Sequence, residues 1–270
     1  MRKSVPIENL TSEDFEQRVV EPEIWSIDIE TAANVGAYWR NPWQTSIIKQ
    51  IHDTYMLSWS AKKLNGKQIT RSLPDYEGYE PGRRDDKALV TELRDLLDTV
   101  DIAIGHNGKK FDFPYIKGRC VINGLPPMRK FQMYDTREMA KRHFGFTSNK
   151  LDDIARVLGV GTKIPIHYET WEGCERGDPK AWKLMCTYNA HDSKLLEKVY
   201  LKLRAWDQGH PNMNLLLNRS FEGCPTCGSK DTRRRGFNYT TTGRRQEYEC
   251  LNPECKRRFS GKHQKVTDYR

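Results

Sequence analysis

The chain has 270 residues, 37% hydrophobic and 30% charged, which is enough for one α/β core and a small appendage. No run approaches the roughly 18 apolar residues of a membrane helix. The basic start Met1-Arg2-Lys3 leads into no apolar stretch, so the expectation is a chain without a secretory leader that stays in the cytoplasm. The formal charge is +9, of which residues 221–270 carry +6 (12 Lys and Arg against 6 Asp and Glu), leaving +3 for the rest. A basic tail on a nearly balanced body points to a polyanionic partner, most often nucleic acid.

In chain order, residues 1–22 form a polar lead-in with one possible short helix at 12–20. Residues 23–30 are a β-rich run, 36–45 are aromatic and loop-like, and 47–60 are rich in Ile, Tyr, Met and Trp. Asn65-Gly66 is a hairpin signal, with 67–73 as the return strand. Leu89, Val90, Leu93, Leu96, Leu97 and Val100 have the spacing of an amphipathic helix. Ile102 and Ile104 make a short strand ending at Gly105, and a second helix starts near Phe111, with Pro114 tolerated in its first turn. Leu151, Ile154, Ala155 and Leu158 mark another helix, closed by Gly159 or Gly161. Asp178 as N-cap and Pro179 at the first helical position open a long helix. Leu184, Tyr188, Asp192, Leu195, Leu196, Val199 and Leu203 fall on its buried face, and Gly209-His210-Pro211 ends it. The composition then turns to Cys, Gly, Arg and Thr, which places a domain boundary near 212–220. The order of elements gives a lead-in (1–22), an α/β or mixed domain (23–211), a small cysteine-bearing piece (220–262) and a tail (263–270).

Three segments offer acids. Asp28 and Glu30, two apart on a strand, share a face, and two like charges on one face need a cation or solvent. Asp-x-Glu alone is common and carries little. Asp112 follows a short apolar strand and opens a helix, a place at the rim of a sheet that suits chemistry or simply a helix cap. Tyr188 and Asp192 lie one helical turn apart on a core face, where a lone tyrosine is ordinary packing. Together, the four carboxylates can ligate hard divalent ions such as Mg²⁺ or Mn²⁺, and two such ions clamp a phosphodiester.

These residues carry a resemblance. Asp28-Ile29-Glu30-Thr31, Asn107 with Phe111-Asp112-Phe113-Pro114-Tyr115, and Tyr188 with Asp192 are similar, in motif and order, to the DEDD exonuclease superfamily. Within it they resemble the proofreading exonuclease domains of B-family DNA polymerases, over residues 22–205. Thr187 stands where DEDDh enzymes have His, so Tyr188 marks the DEDDy subclass, and His191 has the wrong spacing. The resemblance implies a ribonuclease H-like mixed β-sheet flanked by helices, two Mg²⁺ or Mn²⁺ held by Asp28, Glu30, Asp112 and Asp192, and 3′→5′ exonuclease activity. It implies that Tyr188 positions or helps activate the attacking water and that Thr31 and Asn107 lie near the terminal nucleotide, with Phe111 either lining the pocket or packing inside. Polymerase domains are not expected in a chain of this length, and DNA is preferred over RNA because the pattern is polymerase-like.

Cys224-Pro225-Thr226-Cys227 and Cys250 with Cys255 are two knuckles of the kind that hold tetrahedral zinc, whereas Cys120, Cys174 and Cys186 read as ordinary thiols. So small a piece needs its metal to fold. It resembles the zinc ribbons of phage and transposase proteins. Arg233, Arg234, Arg235, Arg244 and Arg245 are its candidate phosphate contacts, and Phe237, Tyr239 and Tyr248 its candidate stacking groups. A structural or protein-docking ribbon is the alternative. For the whole chain, the alternatives to a stand-alone exonuclease are a proofreading subunit of a separate polymerase and a non-catalytic binding module with a nuclease-like core. Residues 1–22 and 162–177, Trp171 among them, suggest no function.

Overall fold

The computed structural model describes residues 21–39, 46–217 and 223–265. The helix expected at 12–20 lies outside them. The chain divides into one compact unit, Glu23–His210, and a second that includes residues 211–217 and 223–265.

The first unit is built on five strands: β1 (Ile24–Thr31), β4 (Met56–Lys63), β5 (Gln68–Ser72), β6 (Ile102–Gly105) and β7 (Gln132–Asp135), in the order β5-β4-β1-β6-β7. β4 runs antiparallel to β1 and to β5, whereas β1, β6 and β7 are parallel. The β4–β5 turn is at Asn65-Gly66, where Asn65 takes the left-handed φ of 53°. A separate two-stranded ribbon, β2 (Val35–Ala37) with β3 (Lys49–His52), leaves the end of β1. The aromatic stretch expected to be loop therefore begins as a strand, too short to show any alternation.

The helices are α1 (Lys87–Leu97), α2 (Asp112–Ile122), α3 (Thr136–His143), α4 (Leu151–Val157), α5 (Tyr168–Glu175) and α6 (Pro179–Leu203). One sheet face is apolar. Trp25, Ile27, Ile29, Leu57 and Trp59 form a core with Leu89, Val90, Leu93, Leu97, Phe113 and Ile116, each such side chain contributing roughly 1.5–3 kcal/mol of burial. The indole of Trp59 donates to the Leu89 carbonyl at 3.1 Å.

The opposite face is lined by small polar residues. Ser58 and Ser60 of β4 hydrogen-bond Asn189 (3.2 Å) and Ser193 (2.8 Å) of α6. Gln68 reaches Ser193 and the Ala190 carbonyl, and Glu197 accepts from Lys62 and from the Asn65 amide. Small hydroxyl-bearing residues let the helix lie close, and their bonds fix its position along the strands. Asp178 caps α6 through the Lys180 amide, with Pro179 next, as expected. The helix ends at Leu203, before the expected Gly209, and continues as a short 3-10 turn. Leu184, placed on the buried face from sequence, is 38% exposed, while Ala181, Trp182 and Met185 are buried instead. The seam is a mixed polar and apolar stripe, so apolar spacing alone misplaces Leu184 in its second turn.

In the second unit α7 (Met213–Leu216) precedes a three-stranded sheet of β8 (Thr232–Thr240), β9 (Gly243–Cys250) and β10 (Arg258–Lys265), ordered β10-β9-β8. No helix among the described residues is long and apolar enough to cross a membrane.

Asp86 is the main buried ionic anchor of the first unit. It accepts from Arg119 Nε and Nη2 (both 2.7 Å), Asn123 Nδ2 (2.8 Å) and the Met56 amide (2.8 Å). Asp86→Ala leaves the guanidinium buried without its partner, and the expected loss of about 3–5 kcal/mol is to be read as a lowered midpoint in denaturant melts.

Candidate active site and cysteine cluster

The period of two along β1 puts Asp28 and Glu30 on the face that α6 covers. Asn189 of α6 donates to Asp28 Oδ2 at 2.6 Å and to the Asp28 carbonyl at 3.2 Å, which locks the helix to the strand at that residue. Asp192 then lies beside the pair, and ligand oxygens of Asp28, Glu30 and Asp192 fall within 4.8 Å of one another.

Asp112, the first residue of α2, is buried nearby but is not part of that triad. Its carboxylate is held by its own amide and that of Ile29. The preceding turn is tight. A Cβ on Gly105 would come within 3.0 Å of Gly108 Cα, and one on Gly108 within 3.0 Å of the Phe113 ring. Asp135, at the end of β7, receives the amides of Asn107 and Lys109 as well as those of Arg137 and Glu138, so this acid at the sheet rim ties down the turn.

Crowding and burial set the protonation of the cluster. Asp28 is pushed well above the usual carboxylate range by burial and then by Glu30, Asp192 and Asp112. Burial, with Asp192 next, raises Glu30 to about 8. Burial raises Asp112 to about 6. Burial and then Asp192 drive the Tyr188 phenol up from its ordinary value.

Lys163, in a segment from which the sequence suggested nothing, supplies a cation. Its ammonium donates to Asp192 Oδ2 at 2.5 Å and to the Tyr188 hydroxyl at 2.9 Å, and lies 5.1 Å from the Tyr188 ring centre. Despite desolvation, these contacts hold its pKa above the ordinary lysine value. The other oxygen of Asp192, Oδ1, is buried and has no hydrogen-bond partner among the described residues. Hard oxygen donors, raised carboxyl pKa values and an orphaned buried oxygen fit a divalent cation, for which Lys163 is a weaker substitute.

A cleft of about 460 Å³ opens beside the acids. Thr31, Thr54, Phe111, Tyr115, Tyr168 and Trp171 line it. Phe111 is 47% exposed and stacks on Tyr115 at 5.9 Å. Trp171 packs edge-on against Tyr188 at 6.3 Å and favours the ionised form of Glu30. Asn107, expected near a nucleotide, is absent from this lining; its Oδ1 accepts from Arg137 Nη1 at 2.7 Å. His191 reaches the Thr162 carbonyl.

In the second unit Cys224, Cys227, Cys250 and Cys255 converge. Sulfurs of Cys224 and Cys255 are 3.8 Å apart, and those of Cys227 and Cys250 3.6 Å. The edge of a tetrahedron with Zn–S bonds of about 2.3 Å is about 3.8 Å. Hydrogen bonds from Cys224 and Cys255 drive the Cys227 thiol toward thiolate, while burial raises Cys250. Arg233 and Arg235 both bond Glu249, and the Arg244 guanidinium lies 4.1 Å from the Phe237 ring centre. Tyr239 is 71% exposed, whereas Tyr248 packs flat on Phe259.

A family model described as RNase_H superfamily matches residues 76–204, a span that includes Asp112, Lys163, Tyr188 and Asp192 but not Asp28 or Glu30. No curated protein matches the chain. Among solved structures, a family B DNA polymerase from the hyperthermophilic archaeon Pyrobaculum calidifontis is similar at 16% identity with a TM-score of 0.46. That alignment covers 82% of this chain and 31% of the polymerase, so the chain spans about a third of that protein's length. The mixed five-stranded sheet flanked by helices gives the first unit an RNase H-like fold.

The raised acids give the metal-free protein a distinctive pH response. Where an acid's pKa is higher in the fold than unfolded, the fold keeps a proton that the unfolded chain has lost. Stability therefore falls as pH rises between the two values, for Glu30 from 4.5 to about 8. Lys163 does not offset this, because its contribution is already complete below the ordinary lysine value near 10. Melts of chelator-treated protein are expected to show a lower Tm at about pH 8 than at about pH 5, with Mn²⁺ raising Tm more at the higher pH. A Tm that rises over this window, or that ignores Mn²⁺, counts against the cluster as a cation site.

Proposed function

We propose that the chain is a metal-dependent 3′→5′ exonuclease of the DEDDy type that acts on nucleic acid, with DNA preferred. The observation that carries this reading is the triad of half-buried Asp28 and Glu30 with buried Asp192, with ligand oxygens within 4.8 Å and one oxygen of Asp192 without a partner among the described residues, beside an aromatic cleft. Asp28, Glu30 and Asp192, with Asp112 alongside, would hold two Mg²⁺ or Mn²⁺. When bound, such ions supply water activation and charge neutralisation at the phosphodiester.

The chain's own groups do the positioning. Phe111 and Trp171 offer faces for the terminal base, and Thr31 a hydroxyl at the cleft wall. Tyr188, its pKa raised, stays a neutral phenol at neutral pH and orients water by hydrogen bonding rather than by taking its proton. The Lys163 ammonium is close enough to this phenol that an incoming phosphate competes for it with Asp192. Asn107 acts through the turn that it shapes, with its φ of 73° and its bond from Arg137.

The four cysteines would hold one structural Zn²⁺, and the ribbon around them would add basic contacts to the nucleic-acid backbone. Since Arg233 and Arg235 share Glu249, a phosphate must compete with that carboxylate for them.

A second reading, a binding module without catalysis, is favoured by one observation: Lys163 already compensates Asp192. Digestion of end-labelled DNA with Mg²⁺ or Mn²⁺, using strands blocked at either end, separates the two. Asp28→Ala and Asp112→Asn are each expected to lower the rate by more than about a hundredfold with the fold retained, because even groups behind metal ligands cost 10–100-fold when changed. Full activity in either variant overturns the assignment.

For the ribbon, one zinc per chain is expected by elemental analysis, and its removal should abolish protection of the β8–β10 amides from hydrogen exchange. Replacing Arg233, Arg234 and Arg235 by Ala is expected to weaken DNA binding and flatten its salt dependence. An unchanged slope assigns the ribbon to protein docking.

A further inference from the structure

The β2–β3 ribbon has no role in the reading above. It carries Tyr38 at 54%, Trp39 at 85%, Ile47 at 62% and Ile51 at 50% exposure, and all four residues of β3 are exposed. Exposed apolar groups gathered in one element mark a contact surface. The chemistry of the surface narrows the partner. From 32 to 52 the sequence contains no Asp or Glu, in a chain with 36 of them, yet it holds Arg40 and Lys49. Aromatic faces interleaved with cations and free of carboxylates match stacked bases and phosphates better than a protein surface.

Position agrees with chemistry. The ribbon grows from the strand that bears Asp28 and Glu30. Its root is fixed by the Ala32 amide on the Tyr55 carbonyl (2.9 Å), Thr54 Oγ1 on the Ala32 carbonyl (2.6 Å) and the Thr54 amide on Asn34 Oδ1 (2.8 Å). Ala33, Asn34 and Thr54 at this root form one wall of the cleft beside the acids. Gly36 lets the two strands close, since a Cβ there would meet Ile47 Cγ2 at 2.8 Å.

We propose that this ribbon is a platform for the single strand that continues out of the cleft, with bases stacking on Tyr38 and Trp39 and a phosphate meeting Lys49. The proposal rests on the nuclease reading for the nature of the polymer, and it adds a contact several nucleotides from the scissile bond.

The test uses the full chain with Ca²⁺ in place of Mg²⁺, and fluorescence anisotropy with two probes: single-stranded DNA of about 20 nucleotides and a tetranucleotide sized for the cleft. Trp39→Ala is expected to weaken the long probe about tenfold or more and the tetranucleotide less than about twofold, with Trp39→Phe restoring most of the loss. Lys49→Gln should lower the salt slope for the long probe by about 0.7. Because Trp39 is exposed, its replacement does not threaten the fold. Equal losses on both probes, or unchanged affinity for the long one, overturn the proposal; the second result leaves the patch to a protein. The digestion assay keeps the two readings apart. Trp39-dependent binding without Mg²⁺-dependent cleavage sinks the nuclease and keeps the platform, whereas cleavage with Trp39-independent binding does the reverse.

Discussion

Like charges brought together away from water are the constraint around which the first unit is organised. Three carboxylates with oxygens within 4.8 Å of one another, one of them buried and two half-buried, resist ionising together without a cation. The fold nevertheless forces them together, because α6 is fastened to β1 and β4 by bonds of which one takes Asp28 Oδ2 and the others lie outside the cluster. Asn189 holds Asp28, Ser193 holds Ser60, and Glu197 holds the turn after β4. The resulting electrostatic cost appears as raised carboxyl pKa values and as the capture of Lys163.

The polar seam explains how a long helix can serve as both scaffold and ligand carrier. An apolar interface tolerates sliding by a fraction of a turn. Paired hydroxyl and amide groups do not, since a shift leaves buried donors and acceptors unsatisfied. The other end of the site is held in the same manner, by Asp135 accepting two amides of the turn that leads to Asp112 and two from the first turn of α3. Two acids of the same sheet rim thus serve different ends. Asp112 is buried near enough to the cluster to raise Asp28, and Asp135 is consumed in building the loop.

Much of this was legible in the residues. Asn65-Gly66, Asp178-Pro179 and the alternation at Asp28 and Glu30 each express a local rule that the fold obeys. The convergence of Asp28, Glu30, Tyr188 and Asp192 came from motif order rather than from local physics. What escaped was short or non-local. β7 has four residues and no period to read, and α3 is capped by an acid, Asp135, whose importance lies in bonds to a turn 28 residues earlier. Lys163 carries no local signal at all in a chain with 45 Lys and Arg. Leu184 shows the reverse error, an apolar residue at helical spacing on a face that changes character along the helix.

The clamp between Asn189 and Asp28 joins residues 161 apart in sequence. The acid pair on β1 and the acid on α6 therefore belong to the first and last elements of the same unit to leave the ribosome. All five strands of the sheet precede the third carboxylate in the chain, so the charge cluster is among the late long-range contacts to close. Loss of α6 docking, by heat or by proteolytic nicking, would dissolve the cluster, because Asp192 and the Asn189 clamp leave together.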